Sequence, residues 1–530
     1  MQHPERESGL PAVAAERMRA AEQALQVREF ARAIVLAREA VNAAPDHPEV
    51  QRCLARVLTA HGPSGEAVAL MRRAAAERPD DAVFANTLGV ILDVNAQHEE
   101  ALAAFGRACD LAPANADYAY NLGRALSRQG RLDASKGALE RALALDPRHW
   151  SAAAALIEVL RQTGRAAEAI ALCRRLLERN PADVRIWSAL AGMRQVRFDA
   201  ADVGALERAA AQPGLDLEGN VRVGFALAKA YEDVERHEPA FAAYVRANAV
   251  VRRALPWDAA AHSGEVDAIL AAFASAEAGG DPRFGSEVIF VVSLPRAGST
   301  LIEQILASHA QVEGGDEMMD LLNVIAEEGQ RRRKPLAQWA AQADTGDWRR
   351  LGERYLERTA RWRVRKPVFT DKLPGNWLWL GAAMAMLPGA RVVDCRRDPL
   401  ETAWSCFCQM FAGGTQQFSY DFASIGAFMR DYERAMQHWR ALYPRRIHVQ
   451  VYEALLADFD SQVRRLLDSC GLPFDPACLS FHETQRNIRT ISSGQVREPL
   501  RQDTARAAKY GALLDPLRTA LGLAAYSTDG

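Results

Sequence analysis

At residues 288–300 the sequence reads Val-Ile-Phe-Val-Val-Ser-Leu-Pro-Arg-Ala-Gly-Ser-Thr. The apolar run Val288–Val292 predicts a buried strand, which a small-residue turn and then a helical pattern follow. Such an arrangement gathers backbone N–H groups and the positive end of a helix dipole at one place. The hydroxyls of Ser299 and Thr300 and the charge of Arg296 suit the same turn to a phosphate or sulfate. Taken alone, the stretch is explained equally well as a tight structural connection.

The turn differs from two common nucleotide-binding loops. A P-loop needs Gly-x-x-x-x-Gly-Lys-Ser/Thr, and a dinucleotide fingerprint needs three glycines where only Gly298 is present. The missing P-loop lysine, together with the lack of an apparent magnesium-binding carboxylate in the sequence, disfavours a kinase. The turn therefore favours another way of holding an anion.

The composition of the whole chain excludes several other classes. With 530 residues, two or more domains are expected, and a net charge of −2 argues against a nonspecific nucleic-acid binder. The polar N-terminus does not read as a signal peptide, and we expect no membrane partner and a cytoplasmic location. The 8 cysteines form no Cys-x-x-Cys pair, which predicts reduced thiols and no zinc site.

The N-terminal half carries a period of 34 residues. Three kinds of position keep it: Pro45, Pro79, Pro113, Pro147 and Pro181; Leu54, Leu88, Leu122, Leu156 and Leu190; and Ala33, Ala67, Ala101, Ser135 and Ala169. This pattern resembles the tetratricopeptide repeat, in which each unit is a helix pair. Residues 219–252 look like a further pair, whereas residues 200–217 look irregular. The array is interpreted either as a scaffold or dimerisation surface, or as a groove that presents an acceptor.

The C-terminal half predicts a parallel α/β sheet. Its strand-like runs at 288–292, 367–371, 390–395 and 447–451 alternate with helical stretches. Ligands of such sheets bind at the carboxyl ends of the strands, where Lys372 and Arg397 stand. Arg397 and Ser405 together suit one phosphate, although Arg397 also reads as part of a helix cap and Lys372 as an ordinary loop lysine.

Several motifs of this half occur in a recognisable order: Pro295–Thr300, Gly314–Glu317, Asp371–Asn376, Arg396–Ser405, Tyr432–Trp439, Tyr452–Leu455, and Ser492 ahead of Gln495-Val496-Arg497. Over about residues 285–510 they resemble the bacterial tetratricopeptide-repeat sulfotransferases. The catalytic domain of that family is similar to that of tyrosylprotein sulfotransferases.

The resemblance implies a two-part fold. An all-helical tetratricopeptide solenoid precedes a P-loop-like, three-layer α/β sulfotransferase domain with a parallel sheet. We expect a disordered N-terminus at 1–11, the repeat domain at 12–255, a linker at 256–284 and the sulfotransferase domain at 285–530.

The resemblance also implies the chemistry of the site. The sulfuryl donor would be 3′-phosphoadenosine-5′-phosphosulfate (PAPS), without a metal, and Glu317 would be the general base. The 5′-phosphosulfate would be held by Arg296, Ala297, Gly298, Ser299 and Thr300. The 3′-phosphate and nucleotide would be held by Arg397, Ser405 and Tyr452, and the bridging region by Lys372 and Ser492. A further basic residue of the family falls on Ala507, so we expect the adjacent Arg506 to replace it.

Two interpretations of the whole chain remain. The first is a bacterial sulfotransferase that binds PAPS or its product 3′-phosphoadenosine-5′-phosphate and acts on a hydroxyl of a protein, such as a tyrosine, a peptide or a small compound. The acceptor would then be presented by the repeat groove. The second is a repeat scaffold whose sulfotransferase-like domain binds the nucleotide but is inactive.

Overall fold

The computed structural model describes residues 9–193, 195–275, 280–411, 415–484, 486, 498–500 and 505–526. It divides into two compact units, Met1–Arg165 and Ala166–Gly530. Residues 1–8 of the N-terminus that was expected to be disordered lie outside the described residues. The predicted domain boundaries at 255/256 and 284/285 stay predictions.

The first unit is a series of antiparallel helices. They are α1 Ala12–Gln26, α2 Phe30–Ala43, α3 Pro48–His61, α4 Gly65–Glu77, α5 Ala82–Val94, α6 His98–Leu111, α7 Ala116–Arg128, α8 Leu132–Leu145 and α9 Trp150–Gln162. Each of α2, α4, α6 and α8 ends two residues before one of the periodic prolines. This placement fits the inability of proline to continue a helix.

The small residues of the period lie where two helices of a pair approach most closely. Ala33, Ala67 and Ala101 are fully buried. A Cβ atom on Gly89 would lie 2.7 Å from the Phe105 ring, so no larger residue fits there without a shift. The repeat pattern in the sequence is therefore a packing pattern.

The second unit begins with six more helices. They are α10 Ala166–Arg179, α11 Val184–Ala191, α12 Ala200–Ala210, α13 Leu217–Asp233, α14 His237–Ala254 and α15 Ala259–Ala272. The helix pair expected at 219–252 is confirmed as α13 and α14. The expectation of irregular structure at 200–217 was wrong, because Asp199 and Asp202 form a capping box that starts α12. Helix α15 lies within the stretch that was predicted as a linker.

The sheet of the second unit is fully parallel. Its strands are β1 Val288–Ser293, β2 Val312–Gly314, β3 Val368–Asp371, β4 Arg391–Arg396 and β5 Ile447–Val451, in the order β2-β3-β1-β4-β5. The four predicted strands are confirmed. Strand β2 was not predicted, because 3 residues are too short to show a strand pattern.

Helices cover both faces of this sheet. They are α16 Ser299–Ala307, α17 Asp320–Arg332, α18 Leu336–Trp339, α19 Thr345–Arg358, α20 Leu380–Met386, α21 Pro399–Phe407, α22 Phe422–Leu442, α23 Tyr452–Ala457, α24 Phe459–Ser469 and α25 Asp515–Leu521. Short 3-10 turns lie at Ala340–Gln342, Ala360–Arg363, Pro374–Trp379, Gln417–Tyr420, Pro476–Glu483 and Ala507–Leu514. Phe290 packs into the core on one face and Val291 into the core on the other, which explains the continuous apolar run of β1. The predicted fold class is confirmed.

Candidate active site

The candidate site lies at the carboxyl edge of the sheet. Because all five strands are parallel, the residues that follow them meet at this edge. They are the turn Leu294–Gly298 after β1, Gly315–Glu317 after β2, Lys372 after β3, Arg397 after β4 and Tyr452 after β5. The order of the strands puts Lys372 and Glu317 to one side of β1, and Arg397 and Tyr452 to the other.

The turn after β1 has the backbone shape of an anion cradle. Gly298 has φ +96°, and a Cβ atom on it would lie 3.3 Å from the Tyr452 ring. Helix α16 then begins at Ser299, and the side chains of Ser299 and Thr300 are nearly buried. The positive end of a helix dipole lies at such a turn, which makes it a suitable place for an anion.

Arg296 leaves this turn toward α21. It has φ +69°, and its Nε–H donates a hydrogen bond to Ser405 Oγ at 3.2 Å. Burial and the nearby positive charges of Arg506 and Arg397 lower the pKa of Arg296. A guanidinium nevertheless keeps its charge at neutral pH. The structure thus brings Arg296 directly to Ser405, although these two residues were expected to hold different ends of the nucleotide.

Lys372 and Glu317 form an ion pair on the other side of β1. The Lys372 side chain is fully buried, and its Nζ lies 3.0 Å from Glu317 Oε1 and 3.5 Å from Asp316 Oδ1. Burial disfavours the charged amine, yet the carboxylates led by Glu303 and Glu317 outweigh it and raise the pKa of Lys372. The side chain of Glu317 is 48% exposed, so its carboxylate contacts solvent while it is paired with Lys372.

The turn before Glu317 is fixed by close packing. A Cβ atom on Gly315 would lie 2.2 Å from the Thr370 carbonyl oxygen, so this position requires glycine. Asp316 has φ +62°, and its N–H donates to Glu303 Oε1 at 2.8 Å. Its carbonyl accepts the N–H of Lys372 at 3.2 Å. These contacts set the distance between the expected base and the lysine.

Arg397 lies beside Tyr452 and Glu401. Its guanidinium carbon lies 5.2 Å from the centre of the Tyr452 ring, and its Nη2 lies 3.7 Å from Glu401 Oε2. Asp398 caps the start of α21 by accepting the N–H of Glu401 at 2.8 Å. The helix-cap interpretation therefore describes Asp398, and it leaves the side chain of Arg397 at the strand end.

Arg506 lies near Arg397, because both contact Glu401. Ser492, the other expected residue of this segment, lies outside the described residues. The N–H of Arg506 donates to Glu401 Oε2 at 2.9 Å, and the N–H of Ala507 donates to Glu401 Oε1 at 2.7 Å. The replacement of the family's basic residue by Arg506, and the proposed contact of Arg506 with the nucleotide, stay predictions.

Sequence reasoning missed several residues that build this site. Glu303 is fully buried in α16, and it also accepts Thr370 Oγ1–H at 3.1 Å and Arg486 Nη2–H at 2.7 Å. The one indication of its role in the sequence is that Glu303 is a charged residue in the mostly apolar helix α16. Glu401 gave no signal, because a glutamate in the first turn of a helix is common.

Within the described residues, no group of three or more His, Cys, Asp or Glu side chains is placed to hold a metal ion. None of the helices found there combines the length and the apolar character that crossing a membrane requires.

Family models match both parts of the chain. Residues 288–476 match the model described as the sulfotransferase family, and residues 86–135 and 120–184 match the tetratricopeptide repeat. The chain therefore combines tetratricopeptide repeats with a sulfotransferase-family domain, as the resemblance implied. The finer likeness to tyrosylprotein sulfotransferases stays a prediction.

Comparison with individual proteins gives matches over only part of the chain. A protein of Aquifex aeolicus (strain VF5), described as uncharacterized, is 30% identical over 329 residues, which are 59% of this chain and 43% of that protein. The chain thus spans less than half the length of this relative. Among solved structures, MamA matches at 20% identity over 31% of this chain and 91% of its own, with a TM-score of 0.28. A thermophilic tetratricopeptide-repeat protein of Thermus thermophilus matches at 24% identity over 33% of this chain and 98% of its own, with a TM-score of 0.29.

Proposed function

We propose that this protein is a sulfotransferase that moves the sulfuryl group of PAPS to an acceptor hydroxyl, such as that of a protein tyrosine, with Glu317 as the general base. The observation that carries the proposal is the meeting of an anion cradle, a buried lysine paired with a half-exposed glutamate, and a cluster of arginines at one edge of the sheet. The sulfotransferase-family match of residues 288–476 supports it.

The residues present fit a nucleotide with two phosphate groups. The amides after Gly298 suit the 5′-phosphosulfate, and the guanidinium of Arg397 with the Ser405 hydroxyl suits the 3′-phosphate. Among the described residues, the buried hydroxyl of Ser293, at the end of β1, has no hydrogen-bond partner. Such a group at the base of the cradle is open to a ligand. Ser492 is proposed, from the resemblance alone, as a further donor.

Glu317 is suited to take the acceptor proton. Its carboxylate is half exposed, so an acceptor hydroxyl reaches it from solvent. As the acceptor oxygen attacks sulfur, a new S–O bond forms and the S–O bond to the bridging oxygen breaks. The proton passes to Glu317, and 3′-phosphoadenosine-5′-phosphate leaves.

Lys372 is suited to stabilise the leaving oxygen. Its raised pKa keeps the amine charged, and its burial makes that charge act in a poorly screened environment. The same amine lies 3.0 Å from Glu317 and orients its carboxylate. One cation would therefore both orient the base and stabilise the oxygen that leaves sulfur. This sharing is our reason for placing the reaction between Lys372 and Glu317.

Calorimetry with 3′-phosphoadenosine-5′-phosphate tests the cofactor assignment. We expect wild-type protein to bind, and Arg397→Ala to lose about 1.5–3 kcal/mol, the worth of a charge-assisted contact. That loss is roughly 10- to 150-fold in affinity. Arg391 is the matched control, because it stands at the opposite end of β4, where it donates to the Arg445 carbonyl at 3.2 Å.

The outcomes separate the candidate functions. No binding by the wild type would overturn the nucleotide assignment. Equal losses in Arg397→Ala and Arg391→Ala would remove Arg397 from the site. Binding without transfer to any phenol, sugar or tyrosine peptide offered would favour the inactive scaffold.

A further inference from the structure

Glu232, near the end of α13, contacts the nucleotide site from the repeat-like part of the second unit. Its Oε1 accepts the Nε–H of Arg506 at 2.8 Å, and its Oε2 accepts an Nη2–H of the same guanidinium. The two residues are 274 positions apart in the sequence. A two-point contact of this kind fixes the plane of a guanidinium as well as its position.

Arg506 is therefore fixed at both ends. Glu401 accepts its backbone N–H, and Glu232 holds its side chain, which stays 36% exposed. Glu401 also pairs with Arg397, so a single carboxylate joins the two arginines. An arginine side chain held in this way has lost its rotational freedom before any ligand arrives.

Helix α13 is in turn anchored through its partner α14. Tyr244 of α14 donates its hydroxyl to Glu232 Oε2 at 3.4 Å and packs edge-on against Trp404, with ring centres 5.6 Å apart. Asn248 of α14 donates to the carbonyl of Phe407 at 2.9 Å. Trp404 and Phe407 belong to α21, the helix that carries Ser405. Glu232 is thus attached to the same helix whose hydroxyl faces the site.

Arginines from three parts of the chain lie close together at this place. Arg296, Arg397 and Arg506 lie close enough that the last two lower the pKa of the first. Glu232 pairs with Arg506, and Glu401 lies 3.7 Å from Arg397. Without Glu232, repulsion from the other guanidiniums would turn the long Arg506 side chain away.

We propose that Glu232 is a positioning residue for nucleotide binding: it holds the Arg506 guanidinium beside Arg397 and Ser405, where it contacts the 3′-phosphate. This proposal rests on the proposed function. It assigns part of the nucleotide site to the helix pair α13–α14.

Calorimetry with 3′-phosphoadenosine-5′-phosphate at several salt concentrations tests this assignment. We expect Glu232→Gln to bind about tenfold more weakly, with a smaller loss of affinity as salt rises, because one guanidinium–phosphate contact is gone. Glu218→Gln is the matched control: Glu218 also pairs with an arginine, Arg222, on the same helix, but it is 68% exposed. This control should bind as the wild type does.

A charge exchange separates positioning from mere support of the fold. The double variant Glu232→Arg, Arg506→Glu keeps an ion pair between α13 and the site but removes the guanidinium from position 506. We expect its melting temperature to stay close to that of the wild type while its affinity falls at least as far as that of Glu232→Gln. Full affinity in the double variant, or equal or tighter binding by Glu232→Gln, would overturn the proposal and leave the proposed function standing. Failure of the wild type to bind would overturn both.

Discussion

The two sides of strand β1 carry different groups of charged side chains. On the side of β2 and β3, Lys372 and Arg486 face the carboxylates of Glu303, Asp316 and Glu317. On the side of β4, Arg296, Arg397 and Arg506 lie together, and Glu401 and Glu232 pair with the last two. One sheet edge thus places the proposed base and the proposed anion site next to each other, because each strand end brings different charged residues to it.

Each of these carboxylates pairs with a cation on its own side of β1. On the acidic side, Asp316 and Glu317 pair with the buried Lys372, and Glu303 pairs with Arg486. The basic side gathers three guanidiniums, which suit a doubly charged phosphate. The following predictions test whether the two sides have the separate roles that their charges indicate.

The largest effect is expected from Glu317→Gln. We expect transfer of sulfate from PAPS to fall by at least about 100-fold, the scale of a lost general base. The affinity for 3′-phosphoadenosine-5′-phosphate should change little, because the nucleotide is assigned to the other residues. Transfer to a panel of phenols and tyrosine peptides, with binding measured by calorimetry, checks both points.

Glu313→Gln is the matched control for that variant. Glu313 stands on β2 four residues earlier and pairs with Arg365 at the surface. Its substitution should leave transfer unchanged. If Glu317→Gln transfers sulfate at the wild-type rate, the acidic side of the site has no role in proton transfer.

A smaller effect is expected from Gly315→Ala. The added Cβ would meet the Thr370 carbonyl oxygen at 2.2 Å, so the turn that carries Glu317 must move. We expect a loss of about 1–3 kcal/mol in the free energy of unfolding, the usual cost of overpacking, and slower transfer. Denaturant unfolding measures the first and the transfer assay the second.

Gly375→Ala is the control for Gly315→Ala. It too lies in a turn after a strand of the sheet, here β3, but a Cβ there would have no atom within 4 Å. It should unfold like the wild type. Equal stability of the two variants would show that the turn adapts and that its glycine does not fix Glu317.

A still smaller effect is expected from Ser405→Ala on the basic side. Its hydroxyl accepts the Arg296 Nε–H and would donate to the ligand, so we expect a loss of about 0.5–1.5 kcal/mol in nucleotide binding. Calorimetry with 3′-phosphoadenosine-5′-phosphate measures it. A change in transfer rate at saturating PAPS, without a change in affinity, would contradict the assignment of Ser405 to the nucleotide.

The smallest effect concerns stability alone and comes from Asp371. Burial raises the pKa of this carboxyl to about 7, although Tyr355 and Asn376 donate to it at 2.8 and 3.0 Å. Because the folded pKa lies above the unfolded value of 3.8, its contribution to stability falls as pH rises from about 4 to about 7 and changes little above that. Asp371→Asn should therefore remove part of the change in melting temperature with pH between about pH 4.5 and pH 7. An unchanged pH dependence would contradict the raised pKa.

Much of the fold could be predicted from the sequence, because it depends on repeated or continuous apolar patterns. The 34-residue period and the run of β1 are of this kind. The contact of Arg296 with Ser405 could not be predicted, since it joins residues 109 positions apart by the path of a flexible side chain. Glu232 could not be found either: its helix repeats a packing pattern that says nothing about what its outer face contacts.

The packing of α14 on α21 also bears on how this protein can be divided into working parts. Trp404 is fully buried, with Tyr244 and Phe241 against its ring. A fragment that began at residue 285 would leave this indole in water beside the arginines, and it would lack the carboxylate that holds Arg506. For recombinant expression or for exchange between homologues, the cut that respects the packing lies at the boundary of the compact units, Arg165–Ala166, and not at the glycine-rich stretch near residue 280.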